Sequence, residues 1–178
     1  MSSPLQGHAL HVQNRSWRFC HGPGIPGWNY SDLLYIFTSV LNQAMKNIFV
    51  YGSLMYEDVW TRIVHRHYQK QAAILPGFRR LVVKGESYPG LVRSYASAVE
   101  GIVYFDVSAQ DVRRLDKFEG QYYKKISVKV RTMDGRVHTA SVYVFGRRYR
   151  RLLGATSWDP IRFRTKYLSR FISRYQGF

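Results

Sequence analysis

The feature that most constrains the fold of this chain is a pair of alternating segments that flank Asp134-Gly135. Apolar and polar residues alternate from Ile126 to Val130, and the same period resumes from Val137 to Phe145. Alternation at every second residue is typical of a β-strand with one buried face. An Asp-Gly dipeptide between two such segments favours a tight hairpin turn. The sequence therefore predicts an antiparallel β-hairpin here.

Further strands are predicted before the hairpin. Residues 46–51 are short, apolar and rich in aromatic and β-branched side chains, which indicates a buried strand. Residues 70–84 predict two strands separated by a turn at Pro76-Gly77. The stretch Tyr88-Pro89-Gly90-Leu91 predicts a loop, and residues 97–107 predict another strand.

Three short helices are predicted between and after the strands. Residues 57–68 place their apolar side chains on one face. Ser108 is a suitable N-cap for a helix over residues 109–119. Asp159 and Pro160 are suitable at the start of a terminal helix over about residues 160–174. Together the elements indicate an α+β fold in which about six strands dominate and a few short helices cover them.

The first 44 residues differ from the rest. They include the motif His-Gly-Pro-Gly-Ile-Pro-Gly at residues 21–27, and Met45 stands directly before the first strong strand. We expect a folded domain over residues 45–178, with residues 1–44 as an N-terminal extension that is partly disordered or that reflects a mis-assigned start. The alternative is a helix over residues 31–44 that packs on the domain.

We expect a protein outside the membrane and in the cytoplasm. The apolar run 33–45 has 13 residues, whereas a membrane-spanning helix needs about 20. It also lies too far from the terminus for a signal peptide. The single cysteine, Cys20, excludes an intramolecular disulfide framework and is compatible with a reducing compartment.

Motifs for nucleotides, metals and serine nucleophiles are absent from the sequence. It contains no GxxxxGK[ST], HExxH or GxSxG, and no GxGxxG that follows a strand. His65 and His67 lack the further ligands that a metal site requires, and Ser53 has no histidine in a triad context. We therefore expect no metal, no cofactor and no serine nucleophile.

Two motifs in the sequence indicate a function. One follows the first strand and reads Phe49-Val50-Tyr51-Gly52-Ser53-Leu54-Met55. The other is Leu115-Asp116-Lys117-Phe118-Glu119-Gly120, with Tyr123 just after it. With the Tyr88-Pro89-Gly90-Leu91 stretch, this order resembles the gamma-glutamylcyclotransferase family, and most closely its avirulence-induced-gene-like and gamma-glutamylamine branch. The resemblance covers residues 46 to about 175.

The resemblance implies a small mixed β-barrel with a cavity mouth formed by the loop from Tyr51 to Tyr56. It implies that Glu119 is the general acid/base for an intramolecular reaction. In that reaction the α-amine of a small γ-glutamyl substrate attacks its own γ-carbonyl, giving 5-oxoproline and a free amine. The residues expected to bind this substrate are Tyr51, Gly52, Ser53, Leu54, Met55, Tyr56 and Tyr123.

The residues around Glu119 favour this chemistry independently of the resemblance. Glu119 ends a predicted helix, where the helix dipole opposes negative charge, and aromatic neighbours also favour a raised pKa. The N–H groups of the Gly52 turn can bind a carboxylate or an oxyanion. The alternative for Glu119 is an exposed position paired with Lys117 or Lys124. Tyr123 belongs either to the site or to the core, and a related acyl-transfer role on the same barrel is not separated from cyclotransfer.

A strongly basic composition supports a rival hypothesis. The formal net charge is +16, and residues 145–178 contribute nine bases against Asp159. The segment Arg147-Arg148-Tyr149-Arg150-Arg151 interleaves cations with an aromatic ring, as nucleic-acid contacts often do. The alternative function is therefore a non-catalytic barrel whose basic C-terminal region binds nucleic acid. Arg79 and Arg80 are expected to be solvated strand positions.

Overall fold

The computed structural model describes residues 45–174 together with Asn29, Ser31 and Leu34. The chain divides into two units, residues 1–37 and 38–178, and the account below concerns the second. The predicted N-terminal extension over residues 1–44 lies outside the described residues except at those three positions. The domain start at residue 45 therefore stays a prediction.

The strands of the described part form one mixed sheet that closes into a barrel. They are β1 (Lys46–Val50), β2 (Lys70–Val83), β3 (Pro89–Val107), β4 (Tyr123–Thr132), β5 (Val137–Phe145) and β6 (Leu153–Ser157). The order is β3-β1-β5-β4-β2, and β2 pairs again with β3 to close the ring, while β6 adds to β2. The β1–β5 pair is parallel and the other pairs are antiparallel. The predicted α+β fold with a small mixed barrel of about six strands is confirmed.

The hairpin prediction is confirmed, whereas the predicted turn at Pro76-Gly77 is wrong. β4 and β5 pair from Tyr123↔Phe145 to Arg131↔Val137, and Gly135 turns with φ +84°. In contrast, β2 runs through Pro76 and pairs with β3 on both sides of a register shift. Gly77, with φ +79°, makes a bulge that bends one long strand. The two long strands wrap around the barrel, and β3 begins at Pro89, where a loop was predicted.

The helices are short and lie on the outside of the barrel. They are α1 (Glu57–Ile63), α2 (Ala109–Glu119) and α3, which is α-helical at Pro160–Arg162, π-helical at Phe163–Tyr167 and α-helical again at Leu168–Arg174. α1 ends five residues earlier than predicted, at Ile63. Ser108 caps α2 by accepting the Asp111 N–H, and Asp159 caps α3. No helix among the described residues has the length and apolar character needed to cross a membrane.

Strand β1 is buried on both faces, and this fixes the position where it ends. Phe49 and Tyr51 belong to the cluster inside the barrel. Ile48 and Val50 belong to the cluster beneath α1 and α2. A chain segment held from both sides has little freedom at its end, so the turn that follows β1 starts from a defined place.

Candidate active site

A cavity of about 390 Å³ opens at the end of β1. Its walls come from the turn after β1, the start of β3, the end of α2, strand β5 and α3. The lining residues are Phe49, Val50, Tyr51, Gly52, Ser53, Leu54, Tyr88, Pro89, Phe118, Glu119, Gly120, Gln121, Tyr122, Tyr123, Tyr143 and Phe171. The volume lies in the range of small-molecule sites, and Glu119 is the acidic residue of the set.

Glu119 is the last residue of α2, and the chain turns sharply after it. Gly120 has φ +64° and ψ −160°, a region that is almost restricted to glycine. Glu119 is half-buried, and within residues 45–174 no hydrogen bond or ion pair to its carboxylate is found. Burial, and to a smaller extent the charge of Asp116, raises its pKa from 4.5 to about 8. The predicted alternative pairing with Lys117 or Lys124 is therefore not seen.

A chain of hydrogen bonds runs along the wall behind Glu119. The hydroxyl of Tyr51 donates to the carbonyl of Tyr143 at 2.7 Å, and the hydroxyl of Tyr143 donates to Asp116 at 2.7 Å. Lys125 donates to both oxygens of Asp116. Burial raises the pKa values of both tyrosines. These contacts hold the two rings as neutral, fixed walls of the cavity.

The turn after β1 is held by Arg80, which is half-buried and not a solvated strand position as predicted. Its guanidinium donates to the carbonyl oxygens of Tyr51 and Glu100 at 3.0 and 3.1 Å and lies 5.2 Å from the ring centre of Trp158. Arg79 is exposed, as predicted. Because C=O and N–H point in opposite directions across a trans peptide, the Gly52 N–H faces away from Arg80.

Pro89 explains why residue 52 is a glycine. A Cβ at Gly52 would lie 2.9 Å from Pro89 Cγ. The carbonyl of Pro89 accepts a hydrogen bond from the Tyr123 hydroxyl at 2.7 Å. Tyr123 thus contributes both to the cavity lining and to the contact that presses β3 against the turn. Tyr123 lines the cavity and also packs against the core; its role in substrate binding stays a prediction.

The peptide N–H groups of the turn begin a 3₁₀-helix, Ser53–Met55. The first N–H groups of a helix have no partner within it. In the described part of the chain no acceptor is found for the N–H groups of Gly52, Ser53 and Leu54. The three residues line the cavity, so these donors stand next to the space that Glu119 also borders.

Met55 and Tyr56 lie outside the cavity lining. Met55 Sδ faces Arg80 at 3.9 Å. The Tyr56 hydroxyl donates to the carbonyl of Pro160 at 2.6 Å, and its ring packs on Phe163. Both side chains therefore connect the turn to Arg80 and α3, whereas Tyr51, Gly52, Ser53, Leu54, Glu119 and Tyr123 come together around the cavity as predicted.

Sequence reasoning missed several wall residues. These residues are Tyr88, Pro89, Tyr143 and Phe171. In the sequence, Tyr88 and Pro89 lie in a predicted loop, Tyr143 lies in the alternating part of the hairpin, and Phe171 lies on the apolar face of the terminal helix. Because successive residues of a strand point to opposite faces of the sheet, the sequence does indicate that Tyr143 and Val142 lie on opposite faces of β5. Which side holds the cavity depends on the closure of the barrel, which the local pattern does not contain.

The basic segment that supported the nucleic-acid hypothesis is folded as a 3₁₀-helix, Arg147–Leu152. The Tyr149 ring is half-buried; its edge meets Tyr122, and the Arg148 guanidinium lies 4.7 Å from its centre. The ring is thus already in contact with two side chains of the protein. Among the described residues no cluster of three or more His, Cys, Asp or Glu side chains forms a metal site.

The closed mixed barrel with one acidic side chain in its mouth cavity defines a class of small α+β barrel proteins. Residues 48–160 match the family described as "Gamma-glutamyl cyclotransferase, AIG2-like". The chain belongs to this family.

Relatives in Arabidopsis thaliana are similar over part or most of the domain. "AIG2-like protein D" is 37% identical over 90 residues, which cover 51% of this chain and 59% of that protein. "Protein AIG2 C" is 30% identical over 132 residues, covering 73% and 79%. The chain therefore spans less than two thirds of the length of AIG2-like protein D and about four fifths of Protein AIG2 C.

Solved structures share the fold. A solution structure of an Arabidopsis thaliana protein has a TM-score of 0.58 at 29% identity, covering 73% of this chain and 79% of the other. A structure titled "Gamma-glutamyl cyclotransferase" has a TM-score of 0.51 at 21% identity, covering 57% and 67%. The chain thus has the fold of the cyclotransferases.

Proposed function

We propose that the protein is a gamma-glutamylcyclotransferase that cleaves a γ-glutamyl amide by intramolecular aminolysis. The observation that carries the proposal is Glu119, a carboxyl group without a described partner, in a cavity of about 390 Å³, with a pKa raised to about 8. The family match and the shared fold support the proposal. A cytoplasmic location and the absence of a metal or cofactor from the reaction are part of it.

The reaction requires protons to move from the attacking nitrogen to the departing nitrogen. The α-ammonium of the substrate gives a proton to Glu119, and the freed amine attacks the γ-carbonyl carbon to form the ring C–N bond. Glu119 then gives that proton to the departing nitrogen as the original C–N bond breaks. The ring nitrogen still carries two hydrogens, and it loses one of them by the same route, so that the amine leaves as an ammonium ion and Glu119 is a carboxylate again. The products are 5-oxoproline and an amine, and no water is consumed.

The raised pKa suits this transfer. An α-amino group has a pKa of about 8, and the pKa of Glu119 is also about 8. Proton transfer between groups of similar pKa costs little free energy in either direction. A carboxylate with an ordinary pKa would be too weak a base to take the proton, so the burial of Glu119 contributes directly to the proposed reaction.

The turn after β1 is proposed to bind the γ-glutamyl half. The N–H groups of Gly52, Ser53 and Leu54 lack described acceptors and are available to the substrate carboxylate or to the oxyanion on the γ-carbonyl. Attack within one molecule already has the advantage of proximity. The remaining task of the cavity is therefore to fold the substrate so that its amine lies near its γ-carbonyl.

The test is a panel of γ-glutamyl dipeptides, γ-glutamyl-lysine and simple γ-glutamylamines, with 5-oxoproline identified by mass. We expect turnover of at least one substrate, and we expect Glu119→Gln to lower kcat by about a hundredfold or more. Asp58→Asn removes an exposed carboxylate on α1 outside the cavity lining; it is the control and should leave kcat unchanged. Absence of 5-oxoproline from the whole panel with folded wild-type protein contradicts the proposal.

A further inference from the structure

A second chamber of about 540 Å³ adjoins the Glu119 cavity. Tyr88 and Phe171 belong to the walls of both. The second chamber is formed by the connection between β2 and β3 and by the end of α3, and its lining residues are Gly85, Glu86, Ser87, Tyr88, Tyr167, Arg170, Phe171 and Arg174. The two chambers therefore meet at the Tyr88 and Phe171 rings.

Two arginines give the second chamber its charge. Arg170 and Arg174 are four residues apart in the last α-helical part of α3, so they lie on the same face one turn apart. Within the described part of the chain neither guanidinium makes a hydrogen bond or an ion pair. Glu86 is the acidic residue of the lining, and it pairs with neither arginine. Two cations and one anion leave the chamber lining net positive, with two exposed guanidinium groups that have no acceptor among the described residues.

We propose that this chamber binds a single anionic group, a carboxylate or a sulfonate, carried by the amine that leaves. The inference rests on the proposed cyclotransferase function. Ring closure uses only the γ-glutamyl half of the substrate, so the departing half must project out of the space around Glu119. A guanidinium matches a carboxylate or sulfonate with two parallel hydrogen bonds. Glu86 disfavours a second negative charge, which is why one anionic group fits best.

The experiment compares γ-glutamyl-β-alanine with γ-glutamyl-β-alaninamide, which differ in one negative charge and little in shape. The wild type should prefer the carboxylate substrate in kcat/KM. The double variant Arg170→Gln/Arg174→Gln should lower that preference about tenfold, chiefly through KM. Arg164→Gln removes the same charge from the same helix but lines neither chamber, so it should leave the preference unchanged.

The quantity compared is the ratio of kcat/KM for the acid to kcat/KM for the amide, measured in the wild type and in each variant. The ratio in one protein is not sufficient, because replacing a carboxylate by an amide also alters the basicity of the departing amine. An unchanged preference in the double variant overturns the inference while the proposed function stands. If no γ-glutamyl amide gives 5-oxoproline, the proposed function fails and this inference fails with it.

A second measurement keeps the inference testable if the double variant does not fold. Added salt screens a solvent-accessible ion pair. For the wild type, kcat/KM should therefore fall with added sodium chloride more steeply for γ-glutamyl-β-alanine than for its amide. Equal salt dependence for the two substrates overturns the inference.

Discussion

Replacing Glu119 with glutamine separates the chemical role of this side chain from the cost of keeping a carboxyl group in the cavity. Burial and Asp116 raise the pKa of Glu119 from 4.5 to about 8. The carboxyl group therefore holds its proton more tightly in the folded than in the unfolded state. Its contribution to stability is complete below pH 4.5 and is lost as the pH rises to about 8.

The size of this loss follows from the shift in pKa. One pKa unit corresponds to about 1.4 kcal/mol, so the wild type should lose roughly 4 kcal/mol of unfolding free energy between about pH 5 and about pH 9 through this group. Glutamine does not titrate and has no such loss. The Glu119→Gln variant should therefore become more stable than the wild type as the pH rises, although we expect its kcat to be much lower.

Urea unfolding followed by tryptophan fluorescence at several pH values measures the difference. Asp58→Asn, which removes an exposed carboxylate on α1 outside the cavity, is the control for the loss of a charge elsewhere on the protein. If the Glu119→Gln difference is independent of pH while 5-oxoproline release is lost, the carboxyl group is well solvated in the folded protein. The explanation of its basicity by burial is then refuted.

Four further outcomes are expected. Asp116→Asn removes a charge that raises the pKa of Glu119, so the acidic limb of the kcat/KM profile should move to lower pH; a move to higher pH contradicts this. Arg80→Lys loses the two carbonyl contacts and the Trp158 contact, so kcat/KM should fall about tenfold while that limb stays in place; an unchanged kcat/KM refutes the role of Arg80. Gly120→Ala should cost about 1–3 kcal/mol of unfolding free energy because alanine is strained at φ +64°, and thermal unfolding checks it. Because the Tyr149 ring is already in contact with Arg148 and Tyr122, retention on immobilised polyuridine should be weak at physiological salt; tight retention with a steep log–log salt slope supports the rival hypothesis.

Local features of the fold were predictable because their causes are local. The alternation around Asp134-Gly135 predicts the hairpin, and Ser108 followed by Asp111 predicts the start of α2. The position of Gly120 after an amphipathic segment predicts where that helix ends, which places Glu119 at a helix terminus. Each of these signals lies within a few residues of the structure it specifies.

The barrel closure and much of the cavity wall were not predictable, because they depend on contacts between distant segments. Pro76-Gly77 bends a strand because β3 lies beside it along its whole length; without that neighbour the same dipeptide indicates a turn. Arg80 looks like an exposed cation until Trp158 and the Tyr51 carbonyl are brought to it from far along the chain. Tyr143 faces the cavity only because β5 pairs in parallel with β1.

The π-helical segment Phe163–Tyr167 of α3 has a consequence for how the second chamber can evolve. A π-helical turn holds one residue more than an α-helical turn. Deleting one residue from this segment would restore a regular helix, and the later residues would keep nearly the same face toward the barrel because the wider turn already absorbs the extra residue. A deletion in the regular part that follows, at Leu168 or Ser169, would instead turn Arg170 and Arg174 by about 100° and move both out of the chamber. The π-helical segment is therefore the place where the length of this helix can change while the positive charge of the chamber lining is kept.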